Sequence, residues 1–174
     1  MTRLLLAATP PSLGAVLRDN ESLYRSIFRN AGVGIAVTAL DGLLVEANDA
    51  YLRLLGLSRQ EVLGRPPVEF THPEDRPETT DKLAQVIAGR LDSYRVTKRY
   101  QHAGGTVRWA DVNVSALRDA GGAVTGVIAL CTDVTDTRVA EQALREASAE
   151  DGTSFFTTCT TGNCEDGAKY QKEN

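Results

Sequence analysis

With 42% hydrophobic and 24% charged residues over 174 positions, the chain carries enough apolar material for one packed domain plus appendages, which excludes wholesale disorder. Nineteen basic against 23 acidic residues give a net charge of -4, so the sequence holds no electrostatic footprint for nucleic acid. The apolar run at residues 4–6 stops at Thr9-Pro10-Pro11, short of a signal-peptide core and of a membrane span, which gives a cytoplasmic address. Cys131, Cys159 and Cys164 are too few and too unevenly placed for a disulfide framework, in keeping with a reducing compartment.

Residues 1–19, with adjacent prolines and a short apolar stretch, read as a leader. From Asn20, Leu23, Ile27 and Phe28 fall at helical spacing up to Gly32, which predicts a short amphipathic helix whose stripe needs a partner. Ile35, Val37 and Ala39 alternate along a first strand, Asp41-Gly42 is a two-residue hairpin signal, and residues 43–47 resume an extended run. Asn48 then offers a side-chain oxygen to a helix start, a structural cap, with Asp49 favoured in the first turn. Tyr51, Leu52 and Leu55 share the predicted inner face of that helix, and Gly56 ends it.

Ser58 and Glu61 have capping-box spacing before a helix of one or two turns that closes at Gly64. Val68, Phe70 and the turn His72-Pro73-Glu74-Asp75 lead to a helix over 78–88, with Leu83, Val86 and Ile87 inward. Three strands follow, at 94–100, 106–117 and 124–132. In the middle one Ala110, Val112, Val114 and Ala116 form the apolar row, and Trp109, Asp111, Asn113 and Ser115 face the other way. Residues 135–150 read as an outgoing helix with a ridge of Val139, Ala143 and Leu144, which favours pairing over burial. Residues 151–174 shift to Thr, Gly, Asn and charge with no period, and read as a disordered tail.

The order of these elements, with Glu46-Ala47-Asn48-Asp49-Ala50, Leu54-Leu55-Gly56, Glu61-Val62-Leu63-Gly64, His72-Pro73-Glu74-Asp75, Arg108-Trp109 and Asp133-Val134-Thr135, resembles the PAS domain family in its bacterial signalling form. The resemblance covers residues 20–134 and the outgoing helix. It implies an α+β fold: a five-stranded antiparallel sheet of order 2-1-5-4-3, with helices on one face enclosing a small cavity. One departure is visible, Ala39, where many relatives carry an acidic residue near the end of the first strand.

Catalysis finds little support, because His72 and His102 are the only histidines and neither lies in a nucleophile, metal or phosphate motif. Haem-binding relatives place an axial histidine on the long helix, and residues 78–88 hold none; light-sensing flavin relatives need a cysteine by the ring, and none precedes Cys131. Cys131 reads as a buried small hydrophobe, and Cys159 and Cys164 stay uncommitted. Inward apolar positions give Val37, Leu55, Phe70, Ile87, Val112 and Ile128 as a candidate ligand cavity, a set that an ordinary core would also use. Asp133 and Thr135 are placed to tie the last strand to the outgoing helix and relay a signal. The leading expectation is a sensor or interaction module that binds a small ligand or a partner protein and acts as a homodimer. The alternatives are the sensory part of a larger histidine kinase or diguanylate cyclase, and a ligand-free dimerisation scaffold.

Overall fold

A computed structural model describes residues 13–153, with side-chain surroundings from 19 to 148. α1 (Leu13–Asn30) begins at Leu13 and not at Asn20, inside the stretch read as a leader. Leu13, Ala15, Leu17 and Arg18 are good helix formers, and no proline follows Pro11 to interrupt them. Among the described side chains of this helix Phe28 is the buried one, while Leu23 and Ile27 are exposed.

β1 (Gly34–Thr38) and β2 (Leu44–Ala47) form the predicted hairpin, with Gly42 at a positive φ in its turn. The inner row of β1 is Gly34, Ala36 and Thr38, and Ile35 and Val37 belong to the opposite face. The reason is steric. α2 (Asp49–Leu55) lies so close that a Cβ on Gly34 would stand 3.1 Å from Tyr51 Cα and 3.2 Å from the Cys131 carbonyl, so only small side chains fit beneath it. α2 buries Tyr51, Leu54 and Leu55, with Leu52 only partly covered.

α3 (Arg59–Val62) is a single turn, and Glu61 Oε2 accepts from the Ser58 N–H at 2.8 Å and from its hydroxyl at 2.6 Å. Two short 3-10 turns, Pro67–Phe70 and Pro73–Asp75, lead into α4 (Arg76–Ile87), which buries Val86 and starts slightly earlier than predicted because Pro77 suits a first helical turn. β3 (Ser93–Gln101), β4 (Val107–Arg118) and β5 (Val124–Asp133) complete the sheet, whose order is β2-β1-β5-β4-β3 with every pair antiparallel. The core lies between the inner sheet face and α2, α3 and α4. α5 (Thr135–Thr153) follows directly, running past residue 150; the remainder of the stretch read as a tail, 154–174, with Cys159 and Cys164, lies outside the described residues. In α5, Val139 and Leu144 are 63% and 69% exposed.

Candidate functional site

Alternation along β3 puts Tyr94, Val96, Lys98 and Tyr100 on the inner face, so a lysine occupies an otherwise apolar row. Lys98 is only 5% exposed and lines a cavity of about 20 Å³, space for a single water-sized group. Val112 and Val114 of β4, Val127 of β5, and Thr79 and Leu83 of α4 form other parts of the wall. The Lys98 ammonium donates to Thr71 Oγ1 at 3.2 Å and Thr79 Oγ1 at 3.5 Å, and stands 4.7 Å from the centre of the Tyr100 ring. These bonds are long for a charged donor, whose usual reach is about 2.8 Å. Among the described residues no carboxylate lies within ion-pair distance of Lys98.

The nearby acids are engaged elsewhere: Asp75 accepts from the Arg99 N–H and guanidinium, and Glu78 pairs with Lys82. Burial therefore pulls the Lys98 ammonium down to about 8, with Cys131, Asp75 and Glu78 opposing that shift by their charge. The groups around it move the other way. Burial pushes up the hydroxyls of Tyr51 and Tyr100, the latter meeting Cys131 Sγ at 3.6 Å; Tyr94 is pushed to about 12 and the Cys131 thiol also rises. A thiol held in its neutral form agrees with a packing role for Cys131.

Of the six cavity positions expected from sequence, Val112 lines this space. Leu55 and Phe70 are buried and Ile87 is partly so, all within the core but outside the cavity wall. Val37 and Ile128 face each other in the β1–β5 register on the opposite side of the sheet, so they do not line it; Ala36, Val127 and Ala129 do. Strand parity is the cause, since a one-residue change of phase exchanges the two faces. Lys98, Thr71 and Thr79 were missed. The available signal was a lysine at period two between Val96 and Tyr100.

Two further polar clusters flank the core. Asn48 is fully buried, and its Oδ1 accepts from the N–H groups of Tyr51 at 2.9 Å and Ile35 at 2.8 Å. Its Nδ2 donates to the Phe28 and Val33 carbonyls, each at 2.9 Å, so the cap also joins α1, β1 and α2. At the other end, Asp133 Oδ1 accepts from the Thr135 N–H at 2.9 Å and hydroxyl at 2.6 Å. Thr135 Oγ1 in turn accepts from the Trp109 N–H at 2.9 Å, and the Val134 N–H donates to the Trp109 carbonyl at 2.9 Å. Trp109 lies on β4, the strand that supplies Val112 to the cavity.

Among the described residues, open hollows also lie on the surface. One of about 380 Å³ runs under α1, where the Tyr24 hydroxyl donates to Glu46 at 2.6 Å; another of about 270 Å³ holds Arg53, Arg108 and Asp133. His72 serves as turn chemistry, its Nδ1 accepting from the Glu74 N–H at 3.4 Å. Among the described residues no cluster of three or more His, Cys, Asp or Glu is placed to hold a metal ion, and no helix is long and apolar enough to cross a membrane.

Comparison with known proteins agrees with this geometry. Over 126 residues, 72% of this chain and 11% of the relative, the sequence is 28% identical to the probable diguanylate cyclase DgcE of Escherichia coli (strain K12). Over 134 residues, 77% of this chain and 14% of the relative, it is 22% identical to the sensor histidine kinase TmoS of Ectopseudomonas mendocina. The chain thus spans a small part of the length of these curated relatives. The crystal structure of a PAS domain from Colwellia psychrerythraea superimposes with a TM-score of 0.61 at 19% identity, covering 68% of this chain and 99% of that one. The family model of the PAS fold matches residues 22–134, a span that begins within α1 and ends at the Asp133–Thr135 clamp, and the chain belongs to the PAS family.

Proposed function

We propose that this PAS domain is the cytoplasmic sensory module of a signalling protein, one that binds a small ligand or a partner and relays the event through Asp133 and Thr135 to α5. One observation carries the reading: β4 and β5 each contribute both to the cavity wall, through Val112 and Val127, and to the exit clamp, through Trp109 and Asp133. Two strands that touch an occupant at one end therefore set the hydrogen bonds that start α5 at the other. An occupant that favours one arrangement of those strands shifts the equilibrium between two settings of the helix. Homology to sensor kinase and cyclase regions supports an output domain of that type, a histidine kinase or a diguanylate cyclase, as the effector. Catalysis would belong to that output domain. The exposed ridge of Val139 and Leu144 supports a homodimer in which two copies of α5 pair.

The small cavity favours a second reading, a ligand-free dimerisation scaffold with a filled core. Native mass spectrometry with an absorbance spectrum on freshly purified protein separates the two. A stoichiometric co-purifying small molecule is the expected result for the sensor. A colourless ligand-free dimer that no added metabolite changes would replace it with the scaffold; removing residues 1–32 would then tell whether α1 forms the interface.

A further inference from the structure

We propose that the cavity beneath the sheet takes a compact monocarboxylate, whose anionic end is held by the Lys98 ammonium together with the Thr79 hydroxyl. The inference deepens the sensor reading above by naming the ligand class. A buried cation is ordinarily matched by an acid or replaced by an apolar residue, because an unmatched charge loses its hydration and gains nothing in return. Lys98 has neither remedy: its two bonds go to neutral hydroxyls, and both nearby acids are committed to other cations. The ammonium has three N–H donors and the hydroxyls accept two of them, so a carboxylate oxygen would supply both charge and an acceptor.

Charge and shape narrow the class. One lysine balances one negative charge, whereas a phosphate or a dicarboxylate would bring two into a space with no second cation on its wall. Leu83, Val112, Val114 and Val127 give one part of the wall an apolar surface that suits a short alkyl tail, beside Thr38 and three tyrosines. At about 20 Å³ the cavity admits a single water-sized group, so any carboxylate, formate included, must push Leu83 and Thr79, and with them α4, away from the sheet. Such a displacement loads the strands that lead to α5.

The pH dependence follows from the same surroundings. Lys98 faces Asp75 and Glu78 at the start of α4, Tyr100 and Tyr94 on β3, Tyr51 on α2 and Cys131 on β5. The Arg99 guanidinium holds the Asp75 carboxyl below its usual range, and the tyrosines and the thiol are all pushed up by burial, which leaves Lys98 as the cavity group drawn toward a change of charge just above neutrality.

The test titrates the full chain with sodium formate, acetate and butyrate, following backbone amide shifts by NMR, with acetamide as the neutral match and sodium chloride at equal ionic strength. The expected result is saturable shifts at Lys98, Thr79 and Val112 with acetate, none with acetamide, and no competition from chloride. Binding should weaken about tenfold or more in Lys98→Met, the change expected from losing one charged hydrogen bond. In the unaltered protein it should weaken on raising the pH from 7 to 9.5. Absence of saturable shifts, equal binding by Lys98→Met, or chloride competing as well as acetate would overturn the inference. A different, uncharged molecule co-purifying with the protein would overturn it and leave the sensor reading standing. Carboxylate binding at Lys98 with no change in α5 pairing would uphold it and overturn the relay.

Discussion

Asn48 and Lys98 are both polar side chains with almost no exposure, one at the junction of α1, β1 and α2 and the other on β3, and they are satisfied to very different degrees. Asn48 fills all of its geometry: two N–H groups reach its oxygen and its nitrogen reaches two carbonyls, each within 2.9 Å. Lys98 has a full charge and two hydroxyl partners at 3.2 and 3.5 Å. A buried polar group that is completely matched fixes a fold, because every alternative arrangement strands several donors and acceptors at once. A buried group that is poorly matched destabilises the fold, and its retention points to a use. The same degree of burial thus separates a structural residue from a functional one only when the partners are counted.

The largest effect tests the structural side of that contrast. Asn48→Ala removes four hydrogen bonds and leaves the Tyr51 and Ile35 N–H groups and two carbonyls without their partner. Loss of the cap to Tyr51 costs about 1 kcal/mol, and the three other stranded groups add at least about 1 kcal/mol each, so a total of roughly 4 kcal/mol or more is expected in urea unfolding. A cost below about 1.5 kcal/mol would mean that water or a local shift replaces the amide, and the contrast with Lys98 would fail.

The functional side predicts the opposite sign. In Lys98→Met the stem is kept and the charge is lost, and stability at pH 7 should rise by roughly 2 kcal/mol. The figure follows from burial pulling Lys98 to about 8 from 10.5, which amounts to about 3 kcal/mol before the lost Thr71, Thr79 and Tyr100 contacts are set against it. At pH 7 both folded and unfolded wild type hold the proton, so the folded chain bears the whole penalty. Between pH 8 and 10.5 the unfolded chain keeps a proton that the folded chain has released, and wild-type stability rises. The advantage of the variant should therefore shrink across that window, vanish by about pH 9.5 and reverse slightly above it. Thermal melts of both proteins at pH 7, 8.5 and 10 would show it, and a variant that is less stable than wild type at pH 7 would refute the unmatched charge.

Much of the fold was legible in the sequence because local signals agreed with one another. Asp41-Gly42, the Asn48 cap, the Ser58–Glu61 pair and the alternation of β4 each mark a boundary or a face without help from distant residues. Sheet order was not legible in this way and rested on resemblance, since a period of two says which face a residue takes and nothing about its neighbouring strand. The cavity was misassigned at β1 and β5 because both faces of β1 carry apolar residues. Hydrophobicity favoured Ile35 and Val37, and the deciding fact was the approach of α2 over Gly34, a tertiary constraint. Lys98 was overlooked for a different reason: a charged residue in an apolar row reads as a break in pattern unless its partners are known.

The smallest effect concerns Thr135, a polar group midway between these cases, half-buried and matched on one side by Asp133 and on the other by Trp109. Thr135→Val keeps the shape and removes the hydroxyl, while the bond from the Thr135 N–H to Asp133 and that from the Val134 N–H to the Trp109 carbonyl survive. Water reaches this site, so the global cost should be about 1 kcal/mol. The informative readout is local. Without its acceptor at 2.9 Å, the Trp109 N–H should exchange with solvent up to about tenfold faster, while the amides of Tyr51 and Ile35, held by Asn48, keep their relative protection. Unchanged exchange at Trp109 would mean that β4 holds its end without the threonine, and a relay through that hydroxyl would then have no physical seat. Faster exchange at Trp109 together with altered pairing of α5 would tie the strand that walls the cavity to the helix that leaves the domain.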